Sequence, residues 1–170
     1  MNNFRSGWYL IYTKPRHEKK VHERLSQLDI RSFLPITRKL RSWHDRKKYV
    51  YEPLFPSYVF VYLKDMQHYY YGMDTEGALY YVRTGKDIAK VNESIVDSIR
   101  LLTESGTGIE VSAGNIAPGQ QLTIHQGPLT GVSGEVVQVR GSQKIVVRVH
   151  LLQRNLLAIL PSDYLMPVHS

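Results

Sequence analysis

At 170 residues, 42% hydrophobic and 11% aromatic, the chain fits one ordinary domain or two small ones with real cores. The absence of Cys removes disulfide frameworks, thiolate zinc sites and thiol catalysis. No apolar run approaches the roughly 20 residues that span a bilayer, and the start, Met1-Asn-Asn-Phe-Arg-Ser, lacks a basic-then-apolar leader, so a cytoplasmic protein with no membrane partner is expected. The formal charge of +7 is uneven: residues 1–103 carry 18 Lys and Arg against 11 Asp and Glu, and residues 104–170 carry 4 against 4. Any polyanion partner is therefore expected to meet the first part of the chain.

In chain order, Gly7–Lys14 reads as a first strand, because aromatic and branched residues favour pleated, half-buried positions. Pro15 suits the first turn of a helix in which Val21, Leu25 and Leu28 recur at helical spacing. Arg16, Lys20 and Arg24 form a second stripe beside them, either a solvated face or a contact for anions. Ile30–Ile36 is expected as a strand broken at Pro35, followed by a basic loop, Arg38–Lys48, with six cations and one acid. Glu52–Leu63 is then a third strand, with Val59, Val61 and Leu63 on one face and Tyr58, Phe60 and Tyr62 on the other. A short helix within 66–77, a strand at Ala78–Arg83 and a helix at Asn92–Leu102 complete an α+β sandwich of one antiparallel sheet with packed helices.

Residues 104–117 are rich in Gly, Ser, Thr and Ala and read as a flexible linker between a domain at 1–103 and another at 118–170. The second domain shows four short strands with Gly-marked turns, which suggests a small all-β SH3-like barrel.

The search for catalytic chemistry is nearly empty. No phosphate-cradling Gly-rich loop, HExxH or nucleophile elbow is present, and His17 and His22 miss the spacing that places two metal ligands on one helical face. A non-enzymatic protein without metal or other cofactor is expected. The basic cluster, with Trp43 inside it, is instead the footprint of a nucleic-acid surface.

The segment from Pro118 to Arg140, with Gly127, Gly131 and Gly134 at its turns, resembles the KOW motif of ribosomal proteins and of NusG-type elongation factors. The run WYLIYTKPRHEKKVHERL, then FLPI, a basic loop, EPLFPSYVFV and YYVRTG resembles the N-terminal domain of the NusG family in order and spacing. The EPLFPSYVFV and VRTG segments are most similar to specialised antiterminators of the RfaH and UpxY type. The alternatives are the general NusG factor or a ribosome-associated structural KOW protein.

The resemblance implies a monomeric factor that docks on the clamp helices of the largest RNA polymerase subunit and suppresses pausing or termination. The docking patch it implies is Tyr12, Phe55, Tyr58 and Phe60, with Val96 at its edge, on the expectation that the Tyr58 and Phe60 face is free. It places Tyr69, Tyr70 and Tyr71 near the gate loop of the second large subunit, either bridging to it or packing in the core. Lys14, Arg16, Lys20 and Arg24 fall where specialised members meet non-template DNA or other nascent nucleic acid. Arg38, Lys39, Arg41, Arg46, Lys47 and Lys48 would add phosphate attraction there, and Trp43 would stack on a base. In the KOW domain, Leu151 and Leu152 stand where the general factor uses an aromatic against a ribosomal protein, the domain that also meets Rho. The β-branched density of EVVQVR and KIVVRVH argues for stable strands rather than a refolding helical hairpin.

Overall fold

The computed structural model describes residues 4–160; residues 1–3 and 161–170, the latter counted in the expected barrel, lie outside it. The chain divides into two compact units, Met1–Asn92 and Glu93–Ser170.

In the first unit the order is β1 (Gly7–Thr13), α1 (Glu18–Gln27), β2 (Ser32–Phe33), β3 (Ile36–Ser42), β4 (Lys47–Pro53), β5 (Tyr58–Leu63), α2 (Met66–Asp74), β6 (Ala78–Tyr81), β7 (Arg83–Thr84) and β8 (Asp87–Ile88). Four strands form an antiparallel sheet in the order β2-β5-β1-β6. With the β3–β4 hairpin set aside, the chain follows the β-α-β-β-α-β pattern expected of a split, ferredoxin-like sandwich. Both helices pack on one face of the sheet. Val21 and Leu25 of α1 join Tyr9, Ile11, Val59, Val61, Leu63 and Tyr81, with Tyr69 and Met73 of α2 alongside.

Local chemistry sets the helix ends. Pro15 lies in a turn before α1, not in its first turn, and Arg16 beside it has φ +65°. The other end closes through Asp29 (φ +56°), as the Ile30 N–H donates to the Leu25 carbonyl at 2.9 Å. In α2 the Asp65 carboxylate accepts the His68 N–H at 2.9 Å and caps the first turn. Gly72 of α2 is where the sheet comes closest: a Cβ there would stand 2.1 Å from the Tyr81 hydroxyl. That hydroxyl donates to the Tyr69 carbonyl at 2.8 Å, and burial pushes its pKa far above that of a free phenol.

The second unit holds α3 (Glu93–Glu104), β9 (Ile109–Ser112), β10 (Gln120–Thr123), β11 (Ser133–Val139), β12 (Ser142–Val149) and β13 (Arg154–Ile159). Its five strands pair antiparallel in the order β10-β11-β12-β13-β9. Among the described residues no pairing joins the two edge strands, so the five strands form an open antiparallel sheet in the place of the expected SH3-like barrel. The helix α3 packs against β11 and β12, and its Ser98 hydroxyl accepts the Ser133 N–H at 3.1 Å. The stretch expected as a linker contains the end of α3 and all of β9, whose Ile109–Ser112 pairs with β13. The turn glycines match their chemistry: Gly131 has φ +96°, and a Cβ on Gly134 would meet the Val146 carbonyl at 2.5 Å.

Candidate functional site

The sheet face turned away from α1 and α2 is lined by Trp8, Leu10 and Tyr12 of β1, opposite Tyr62, Phe60 and Tyr58 of β5. It is not uniformly free, as the sequence suggested. Phe60 is fully buried and Phe55 is 4% exposed. Two neighbours cause this: the segment between β4 and β5 doubles back to set Phe55 against Phe60 at a ring distance of 6.3 Å, and β2, paired with β5, sets Phe33 beside it at 5.8 Å. The fold-back is pinned at Ser57, which has φ +70°. Its N–H donates to the buried Glu18 carboxylate at 2.9 Å, and its carbonyl accepts the Thr13 N–H at 2.8 Å. Val96, expected at the patch edge, is also fully buried, on α3 of the second unit.

Tyr62 is half-buried at one end of this face, and the other end is half-open too. Tyr12 and Tyr58 are half-buried and lie 5.3 Å apart; Tyr80 of β6 stacks on Tyr12 at 4.9 Å and is exposed. Three tyrosines from three strands thus form one row. Tyr80 was missed from the sequence, although the alternation in Ala78–Tyr81 and its pairing with Tyr12 put it there.

The tyrosine run on α2 splits by helical geometry. Tyr69 stacks on Tyr81 at 4.8 Å against the core, whereas Tyr70 and Tyr71 are exposed. Tyr70 also borders a cleft of about 590 Å³ that includes Arg5, Arg83, Lys86 and Lys90.

The cations fall into separate groups. Lys14 and Arg16 are exposed before α1, and Lys20 is exposed on it, so the expected stripe does not run along one helix. Arg24 is engaged: it pairs with the Glu76 carboxylate at 3.0 Å and donates to the Glu76 carbonyl at 2.6 Å. The expected basic loop is in fact the β3–β4 hairpin, paired from Ile36–Pro53 to Ser42–Lys47. Every residue from Arg38 to Tyr49 is exposed, so the hairpin projects as a ribbon. Arg41 and Lys39 share Glu52, Lys39 at 3.8 Å, and the hydrogen bond from Arg41 foremost holds the Glu52 carboxyl below the usual range. Arg46 lies over Trp43 at 5.6 Å at the tip. Lys47 and Lys48 have no ion-pair partner among the described residues. In the second unit Leu151 and Leu152 form part of a short 3₁₀ turn, Leu152 buried and Leu151 half-buried.

The first unit thus carries a row of half-open rings and a cationic ribbon, apart from the aliphatic core of the second. The family model described as transcription termination factor nusG matches residues 6–100. The chain belongs to the NusG family of transcription factors. Among solved structures, NusG of Thermotoga maritima, studied for its domain interaction, is similar at a TM-score of 0.52 and 21% identity, covering 94% of this chain and 96% of that one; it supports the fold alone. A chain of the MjSpt4:Spt5 complex matches at a TM-score of 0.32 and 14% identity over 92% of this chain and 93% of that one, too slight a likeness to bear on this fold.

Proposed function

We propose that the protein is a non-enzymatic transcription elongation factor of the specialised, antiterminating kind, acting in the cytoplasm as a monomer tethered to RNA polymerase. The observation that carries the reading is the half-open row Tyr12, Tyr58 and Tyr80 inside the segment matched to the family. Aromatic rings bury large area at little entropic cost, so a row left half-exposed is suited to dock on a partner helix pair such as the polymerase clamp helices. Phe55 and Phe60 are enclosed on the same face beside the row, which suits them to a positioning role rather than a contact. Tyr70 and Tyr71 are the exposed tyrosines of α2 and would reach the gate loop of the second large subunit.

In this reading Lys14, Arg16 and Lys20, with the ribbon cations, attract the exposed non-template strand. The second unit recruits a further partner, a ribosomal protein or Rho, through the surface around Leu151. Individually modest contacts suffice, because linkage on one chain raises their effective concentration. The specialised role, as against the general factor, is supported by the EPLFPSYVFV and VRTG segments.

The test is co-purification with core polymerase and a pausing assay on candidate leader templates. Tyr58→Ala and Tyr12→Ala are expected to cost about 1 kcal/mol of stability while abolishing polymerase binding and the antipausing effect. Wild-type polymerase binding by a Tyr12→Ala/Tyr58→Ala double variant would remove the row from the interface.

A further inference from the structure

The projecting hairpin has two unlike faces. Arg38 lies opposite Tyr51, Leu40 opposite Tyr49 and Ser42 opposite Lys47, and period-two alternation puts these six on one face. Lys39, Arg41 and Lys48 fall on the other, together with Glu52, which already engages Lys39 and Arg41. The first face carries no acid. Its Arg38 guanidinium lies 4.3 Å from the centre of the Tyr49 ring, and Leu40, Tyr49 and Tyr51 are 55%, 51% and 61% exposed.

We propose that this face is a stacking platform for unpaired bases of single-stranded DNA, with Tyr49 and Tyr51 beneath the bases and Arg38 and Lys47 at the phosphates. The choice of DNA rests on the proposed role beside an open transcription bubble; the choice of a single strand rests on the face itself. A β-ribbon that enters a duplex groove needs polar side chains aimed at base edges. This ribbon offers flat rings and a leucine, which find no partner in a stacked duplex but match the open faces of unpaired bases. The two tyrosines stand two residues apart on one strand, roughly 7 Å, so successive bases can each meet a ring. Charge complementarity then selects a polyanion, since both cations on the face lack a carboxylate to neutralise them there.

The test measures binding of the full-length protein to a labelled mixed-sequence DNA strand, its duplex and the RNA of the same sequence, across a salt series. Tyr49→Ala and Tyr51→Ala are each expected to weaken strand binding about 5- to 30-fold with the salt slope unchanged. Tyr51→Phe keeps the ring and is expected to bind as the wild type does. Lys47→Gln is expected to flatten the salt slope by about 0.7, and Lys39→Gln, already paired to Glu52, to change it less. Unchanged affinity in both tyrosine variants, tighter binding to duplex or RNA, or no strand binding by the wild type would each overturn the proposal. So would loss of polymerase binding in Tyr49→Ala with DNA affinity intact, which would make the face a protein contact. The docking row is judged separately, because Tyr12 and Tyr58 are read by polymerase binding alone.

Discussion

The two units spend their side chains differently. Every Phe, Trp and Tyr of the chain except Tyr164 lies before residue 93, and the first unit carries 17 Lys and Arg against 9 Asp and Glu. The second carries 5 against 6, and its described core is built from Val, Ile, Leu and Ala. Its charges are largely satisfied at home: Arg148 clasps Glu135 and donates to the Ile116 carbonyl at 2.9 Å, and Lys144 pairs with Glu110 at 3.1 Å. Branched aliphatic side chains can fill a β core and do little else. Tyrosine can be half in the core and half a binding surface, and unpaired cations act at a distance. The first unit therefore holds the half-open rings and unpaired cations, and the second neutralises more of its charge internally.

The contrast can be broken most forcefully at Phe60. Phe60→Ala is expected to cost about 3–5 kcal/mol, read by urea or thermal unfolding, because the ring is wholly enclosed. The outward-facing role expected from strand alternation predicts almost no loss, so a variant of wild-type stability would restore that reading. Next comes Glu18→Ala, which strands the Ser57 N–H and frees the fold-back over Phe60. The expected loss is about 1–3 kcal/mol, and Glu18→Gln, which keeps an acceptor, is expected to recover most of it.

The second unit is sharpened by acid. The Arg148 hydrogen bond first, then the Gly119 N–H, hold Glu135 below its ordinary 4.5 against a partial burial that pulls it upward. A carboxylate with a depressed folded-state pKa stabilises fully above the unfolded value, and the contribution drains away as pH falls through the folded one. Protection of the β11 and β12 amides, taken relative to the intrinsic exchange rate at each pH, is therefore expected to fall below pH 4.5, and Glu135→Gln to remove that acid limb. The smallest effect is expected at Tyr51→Ala, within about 0.5 kcal/mol of wild-type stability, since its ring is exposed. A larger loss would mean that the ribbon is part of the core after all.

The order of helices and strands was readable because the signals are local. Branched and aromatic alternation marks β1, β5, β11 and β12, and helical spacing marks α1 and α3, whereas α2 was expected only as a short helix within 66–77 and its Asp65 cap went unread. The basic ribbon was visible as charge but not as a hairpin: Arg38–Lys48 lacks an Asn-Gly or Asp-Gly turn signal, and its pairing begins back at Ile36–Pro53. Tyr49 and Tyr51 went unnoticed beside the cations, although the alternation Lys-Tyr-Val-Tyr holds both on one face. Strand β9 hid in a segment whose composition suits a linker, because an edge strand needs only backbone pairing with β13.

By itself, the sequence determined the family, the two-part division of charge and aromatics, and which residues alternate on each strand. These follow from composition and period, which each segment carries alone. Only tertiary structure decided which face of a strand stays open. Tyr58 and Phe60 share one face of β5 by alternation, yet Phe55 and Phe33 close over Phe60 while Tyr58 joins Tyr12 at the half-open end. The fold-back that carries Phe55 is held in part by Glu18, 39 residues before the serine it binds, and no local pattern encodes so distant a hydrogen bond.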